Sequence, residues 1–308
     1  RPVFKGALRV AEGVLRAAFR DAHACLLRDA SERSLWCWGK QAYGRLGPGT
    51  GAEETNTWPP TAMAESVGGE AVTDVVDFCL GHNHGCYIRE VDGVNKTWCW
   101  GKGEAMPNGT GADQSVPTPV HTELGTPLTT PLEALACGPN HTCGLDESGQ
   151  AHCWGDDASL GDGSYSATNW VVDVVMDGSS SPIPAPLVSL EAGTNYTCGD
   201  TADGTTYCWG TVGGVDSAFA VLFVPADVTP GVKETVGQCR LHDDGHVSCH
   251  GVNAVGSLAQ GEIGICPDAL ETPTTLTDLV ASKVAMSERH LCAIDADATP
   301  GEVRCWGY

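Results

Sequence analysis

The sequence predicts an all-β chain folded as a single β-propeller, and three observations carry that expectation. A Cys-Trp-Gly motif recurs along the chain. Each copy follows a second cysteine by 10 to 13 residues. Turn-forming residues are abundant throughout, with 39 glycines and 18 prolines among 308 residues. Such punctuation suits many short strands better than long helices.

The repeat stands at Cys37-Trp38-Gly39, Cys99-Trp100-Gly101, Cys153-Trp154-Gly155, Cys208-Trp209-Gly210 and Cys305-Trp306-Gly307, with a variant at Cys249-His250-Gly251. These six cysteines step by 62, 54, 55, 41 and 56 residues. A period of about 50 residues points to a repeat architecture, and in a chain of this length to a propeller.

The upstream partners give the pairs Cys25/Cys37, Cys86/Cys99, Cys143/Cys153, Cys198/Cys208, Cys239/Cys249 and Cys292/Cys305. Between the members of three pairs lie Asp146-Glu147-Ser148-Gly149, Asp203-Gly204 and Asp243-Asp244-Gly245. Acidic residues followed by glycine are hairpin turns. Positions equidistant from such a turn face each other, about 4.5 Å apart at Cα in a non-hydrogen-bonded pair, which is disulfide range. One staple per blade is the expectation, six in all. Because side chains alternate along a strand, each tryptophan after its cysteine should face the other way, toward a neighbouring blade. Trp36 and Trp98 share that second face.

Fifteen cysteines imply either bound metal or disulfides. Zinc sites gather cysteines two to four residues apart. The spacings here are wider, so disulfides are expected and no metal or other cofactor is assigned. That places the chain in an oxidising compartment: extracellular, periplasmic or cell-surface. The formal net charge of −22 repels phosphate backbones and anionic lipid, which argues against a nucleic-acid partner. No stretch approaches the roughly 20 apolar residues of a membrane helix, so no membrane insertion is expected. The chain starts at Arg1 and reads as a mature or trimmed form.

Fuller repeats read Gly-x-x-His-x-Cys, a hairpin, Cys-Trp-Gly, then a Gly-x-Leu-Gly turn. Gly138-Pro139-Asn140-His141-Thr142-Cys143 opens one, and Ser159-Leu160-Gly161-Asp162-Gly163 closes it. Tyr43-Gly44-Arg45-Leu46-Gly47 is the same ending in the first repeat. This pattern resembles the regulator of chromosome condensation repeat in a cysteine-bearing, secreted form, over nearly the whole chain. Repeat four loses the Leu-Gly ending at Thr211-Val212-Gly213-Gly214, and repeat five has His250 and Gly237 in place of tryptophan and histidine. The family's founding activity, nuclear exchange on chromatin, does not fit an acidic, cysteine-rich chain. The resemblance extends to secreted propellers that cover an enzyme with one face, which implies binding rather than catalysis.

Residues 1–308 are expected to form one domain of six repeats. Arg1-Pro2-Val3 resembles the segment after a Gly-x-Leu-Gly turn, so an N-terminal strand should complete the last blade and both termini close the ring. Seven blades, the commoner number in the family, is the alternative.

No catalytic residues and no metal ligands are assigned. His23, His84, His141 and His290 sit two residues before the first cysteine of their pairs, with Tyr196 and Gly237 in the other two. They would be spread around a ring, and the family carries this histidine in its repeat, so a structural role is expected. Cys79 and Cys137 are left over and are candidates for an additional bridge; Cys266, the odd one, is a candidate covalent or assembly contact with another chain. Asn95, Asn108, Asn140 and Asn195 begin Asn-x-Thr sequons. Asp156, Asp157 and Asp162 lack a full calcium ligand set. Trp58, Tyr165 and Trp170 lie on blade connections, away from the motif, and are the candidate binding anchors. The expected function is a non-enzymatic binding module that presents loops on a propeller face to a protein or glycan. A structural subunit of a surface assembly and a metal-dependent enzyme are the alternatives.

Overall fold

A computed structural model describes residues 14–20, 22–28, 33–48, 56–155, 160–164, 166–212, 215–223, 232–236, 239–242, 244–249, 274–275, 280–286, 290–295 and 303–307. Among these residues the regular structure is β apart from one short 3-10 turn at Gly103–Ala105. Four-stranded antiparallel meanders repeat along the chain. The first comprises Val14–Arg20, His23–Arg28, Ser34–Lys40 and Asn56–Ala62, and the second Val75–Leu80, His84–Val91, Val94–Gly101 and Gln114–Pro119. The third comprises Leu132–Cys137, His141–Asp146, Ala151–Gly155 and Thr168–Asp173, and the fourth Leu187–Gly193, Tyr196–Thr201, Thr206–Val212 and Val215–Phe223. A fifth follows from Val232 to Thr275, and three strands, Ala281–Met286, His290–Asp295 and Val303–Gly307, make the last described sheet.

By contacts the chain divides into two units. One is Arg1–Leu135 with Asn169–Val171, the other Ala136–Thr168 with Val172–Tyr308. The hairpin register read from the cysteine spacing is the register observed. In all six hairpins the paired cysteines stand opposite each other, Cys239 with Cys249 and Cys292 with Cys305 included. Cys25–Cys37, Cys86–Cys99, Cys143–Cys153 and Cys198–Cys208 are disulfides with Cα atoms 4.1 Å apart. Cys79 and Cys137 are also disulfide-bonded.

In the first unit, the Cys25–Cys37 pair, Leu27 and Leu35 enter one buried cluster with Phe78, Leu80 and Trp100 of the second sheet. The cystine face of one sheet therefore packs on the tryptophan face of the next, as strand alternation requires. Trp100 is fully buried, and its indole N–H donates to the Arg45 carbonyl at 2.9 Å. Arg45 belongs to the Gly-x-Leu-Gly turn that ends the first repeat, and Leu46 of that turn joins the same cluster. Trp98 lies on the tryptophan face as expected: Tyr87 stacks on it at 5.6 Å and also meets Trp100 at 5.9 Å. The tryptophan preceding the cysteine takes an arginine over its ring in both sheets, Arg28 on Trp36 and Arg89 on Trp98.

In the second unit, Trp154 and Trp209 are fully buried. A Cβ added to Gly161, in the turn that ends the third repeat, would come within 2.9 Å of the Trp209 ring. The turn and the next tryptophan thus meet there as they do in the first unit.

Candidate interaction surface

The repeat's histidine position is structural where its partner is seen. His141 is buried, and its Nε2 lies 2.8 Å from the Thr197 hydroxyl of the fourth sheet. The same hydroxyl sits 3.4 Å from the Cys143 sulfur. One hydroxyl thereby partners the ring Nε2 and touches the disulfide sulfur, as buried polar groups are paired. His23 and His84 are buried too, and Tyr196 fills the position in the fourth repeat, where burial pushes its hydroxyl pKa well up. His290 is described by its backbone alone.

His152 is a second buried histidine, one that the repeat pattern did not single out. Its Nε2 lies 3.1 Å from an Asp146 carboxylate oxygen and its Nδ1 lies 2.7 Å from Asp173. Asp146 closes the hairpin. Its other oxygen accepts from the Ser148 amide and hydroxyl and from the Gln150 amide. Burial pushes its pKa up, but the Ser148 hydroxyl, His152 and the Gln150 amide outweigh that, so the carboxyl stays below its usual range. A depressed folded-state pKa adds stability above the unfolded value of about 3.9, and that stability is lost as pH falls through the lower folded value. Asp146→Asn should lower stability by about 1 kcal/mol at neutral pH. Thermal melts should show the gap to the parent chain closing below about pH 4.

Of the acidic residues considered for calcium, Asp162 caps its own turn, accepting from the Ser164 amide and hydroxyl at 2.9 and 3.1 Å. Asp156 and Asp157 lie outside the described residues. Among the described residues no group of three or more His, Cys, Asp or Glu side chains is arranged to hold a metal ion. An open groove in the first unit is lined by Glu65, Glu70, Asp74 and Glu90 around Arg89, and Arg89 pairs with Glu65. The sequons differ in exposure. Asn140 and Asn195 are exposed, Asn95 is half-buried and donates to the Leu132 carbonyl at 3.1 Å, and Asn108 is buried.

The three aromatic anchors separate. Tyr165 lies outside the described residues, as does Cys266. Trp170 is half-buried and lies over the turn at Gly109, so close that a Cβ there would stand 1.7 Å from its ring. Trp58 is 52 % exposed and meets Trp38 edge-on at 6.5 Å. Trp38 in turn meets Phe19, 67 % exposed, at 6.1 Å. Leu15, two turns of the pleat along the same strand, is 51 % exposed. Phe19 pairs with Ala24 and Ala24 with Trp38, so these rings cross one face of the first sheet in a row. Phe19 escaped the sequence reading because it belongs to no motif; its signal is a large apolar residue at a position where alternation puts it beside Trp38.

The family model of the regulator of chromosome condensation repeat matches residues 34–88, and a second model of the same repeat matches 133–159. The ultraviolet-B receptor UVR8 of Arabidopsis thaliana is 22 % identical over 294 residues, which is 88 % of this chain and 60 % of the receptor. The chain thus spans less than two thirds of that relative. Human WBSCR16 superposes with a TM-score of 0.70 at 18 % identity, over 97 % of this chain and 78 % of the other. Prp20p from Saccharomyces cerevisiae, described with its binding to Gsp1p and histones, superposes at 0.65 and 18 % identity, over 96 % and 72 %. Likeness at that identity shows the propeller fold alone. Together with the observed four-stranded meanders, the two matches show that the chain carries regulator of chromosome condensation repeats at residues 34–88 and 133–159.

Proposed function

We propose that this chain is a non-enzymatic binding module of an oxidising compartment, extracellular, periplasmic or at a cell surface, which holds a protein partner. The observation that carries this reading is the row of Phe19 and Trp58, both exposed, with the half-buried Trp38 between them on the first sheet. Large aromatic side chains left in solvent are costly and are the usual anchors of interfaces. Prp20p is described with protein partners, which supports a protein over a glycan. A glycan remains the second reading, because sugars also stack on exposed rings.

The repeats are proposed to form one domain over residues 1–308. A six-bladed ring closed by both termini is the proposed arrangement, with seven blades the alternative. The hairpin cystines support the oxidising compartment. Peptide mass mapping of the non-reduced protein from its native source should find Cys143 linked to Cys153, Cys198 to Cys208, and Cys79 to Cys137. Free thiols at the first four would overturn the compartment.

Binding is tested by capture from secreted or envelope extracts with the parent chain and with Phe19→Ala and Trp58→Ala. The expected result is a discrete protein retained by the parent and lost from both variants, with circular dichroism unchanged. Retention by both variants sinks the assignment of this surface. Turnover of a substrate by the chain at about 1 s⁻¹ or faster, an ordinary enzyme rate, sinks the non-enzymatic reading.

A further inference from the structure

The cysteines of the second sheet stand three in a row. Cys79 pairs with Cys86 across the first and second strands, and Cys86 pairs with Cys99 across the second and third. Directly opposed residues in antiparallel strands point to one face. All three therefore lie on the cystine face, in the order Cys79, Cys86, Cys99. Cys86 is bonded to Cys99, with Cα atoms 4.1 Å apart, and Cys79 is itself held in a disulfide. No other described pairing puts a cysteine where Cys79 stands. The residue opposite the first hairpin cysteine is Ala18 in the first sheet, Glu191 in the fourth, Val236 in the fifth and Ala285 in the sixth. In the third sheet the additional cysteine, Cys137, is on the other face. Its sulfur lies 3.4 Å from the Thr142 hydroxyl, and Thr142 pairs with Trp154 on the tryptophan face.

We propose that this row is a redox-responsive exchange site: once a thiol reductant opens the disulfide at Cys79, the Cys79 thiolate takes Cys86 from Cys99 and moves the staple one strand inward. The inference goes beyond the binding reading and needs only the bridges already described. The hydrogen-bond pattern sets the geometry. His84 turns its carbonyl toward the first strand, where the Gly81 amide donates to it at 2.9 Å. Cys86, two residues on, turns its backbone the same way. Cys79 and Cys86 thus form a hydrogen-bonded rung with Cα atoms about 5.5 Å apart, inside the range a disulfide spans. Cys79 also approaches Cys86 from the side opposite Cys99, the direction from which a thiolate displaces the far sulfur. The Cys79 bridge opens first because its partner lies outside the hairpin. It closes a longer loop than Cys86–Cys99, whose sequence separation is 13 and whose members are preset on one rung for reclosure.

Reduction turns the reductant into its own disulfide and the Cys79 bridge into two thiols. The Cys79 thiol gives its proton to water, and its thiolate attacks Cys86 Sγ. The Cys79–Cys86 bond forms, the Cys86–Cys99 bond breaks, and Cys99 leaves as a thiolate that takes up a proton. One disulfide replaces another, so this second step needs no oxidant or reductant. Its product ties the first strand to the second and unties the third, which carries Trp98 and Trp100.

The test adds graded dithiothreitol to the folded full chain and to Cys79→Ser, traps thiols with N-ethylmaleimide and maps linked peptides by mass. At the lowest dose at which the original Cys79 linkage is lost, the parent should yield a Cys79–Cys86 peptide together with labelled Cys99. Cys79→Ser should lose the Cys99 label at the same dose. No Cys137–Cys143 peptide should form, because those cysteines lie on opposite faces, although they are 6 residues apart where Cys79 and Cys86 are 7 apart. An intact Cys86–Cys99 linkage in the parent after the Cys79 bridge has opened overturns the proposal. Equal Cys99 labelling in the parent and Cys79→Ser also overturns it, since the hairpin bridge is then reduced directly. Equal yields of Cys79–Cys86 and Cys137–Cys143 peptides mean random scrambling and overturn it as well. If Cys79→Ser does not fold, the parent map decides alone, by the presence or absence of Cys79–Cys86 beside the Cys137–Cys143 control.

Discussion

Reduction of the folded chain should lower its melting temperature by more than about 10 °C, as estimated from the loops its disulfides close. The four hairpin bridges seen close loops with sequence separations of 12, 13, 10 and 10 residues. Constraining the unfolded chain across about 15 residues contributes roughly 3 kcal/mol, and shorter loops contribute somewhat less. Simple addition gives about 12 kcal/mol at most, comparable with the whole net stability of an ordinary domain, about 5–15 kcal/mol. The bridges do not act independently, because the Cys25–Cys37 pair shares a cluster with residues of the second sheet and Cys143 touches Thr197 of the fourth. Even half the additive total is about 6 kcal/mol, and each kcal/mol moves the midpoint of a domain of 150–250 residues by about 2–4 °C. Calorimetry with and without reductant, with thiol titration to establish complete reduction, measures the shift. The double variant Cys143→Ser, Cys153→Ser should show only a fraction of it. An unchanged midpoint in fully reduced protein would show that the sheets hold themselves and that the staples are incidental.

Much of this architecture is legible in the sequence because the repeat writes its register twice. The cysteine pairs locate each hairpin, and the turn residues between them locate its midpoint, so all six cysteine pairs fall opposite each other. The opposite facing of cysteine and tryptophan follows from the period of two alone. Other features left no motif. The first strands of sheets one, two, four, five and six shift register near their second residue, at Val14/Arg16, Val75/Asp77, Leu187/Ser189, Val232/Glu234 and Ala281/Lys283. The residues there share no composition, so the bulge is visible only in the pairing. The candidate surface was half legible. Trp58 stands out as an aromatic on a connection, but Trp170 has the same look and is spent on Gly109. Composition cannot tell an aromatic that covers a neighbouring turn from one that waits for a partner. His152 was silent for a related reason: it lies between Asp146 of its own hairpin turn and Asp173, which faces it from the next strand, and no motif links the three.

The glycine of Cys-Trp-Gly has a physical cause, and its substitution should be among the most damaging single changes in the chain. Gly101 has φ +110°, outside the range L side chains adopt readily. The ladder slips between Cys99 and Gly101, and equally between Cys37 and Gly39, Cys153 and Gly155, and Cys208 and Gly210; in each case the extra residues lie on the fourth strand, opposite the tryptophan. On its other side Gly101 pairs with His84, at the start of the same hairpin. The Lys102 amide then donates to the Asn83 carbonyl at 2.8 Å, just before His84. A Cβ on Gly101 would stand 2.2 Å from that same carbonyl oxygen and 2.6 Å from the His84 Cα. Both obstacles are backbone, so no side chain can swing aside. Gly101→Ala must break the pairing with His84 or the Lys102–Asn83 bond, and it should cost on the order of 3–5 kcal/mol, combining backbone strain, a lost hydrogen bond and disturbed packing of Trp100. Gly93 separates the two causes. It has φ +78° in the tip of the same sheet's hairpin, and nothing lies within 4 Å of its added Cβ. Gly93→Ala should cost about 1 kcal/mol, from conformation alone. Urea melts of both variants read the difference. Equal losses would mean that the close approach to Asn83 is not what fixes glycine at the end of the motif.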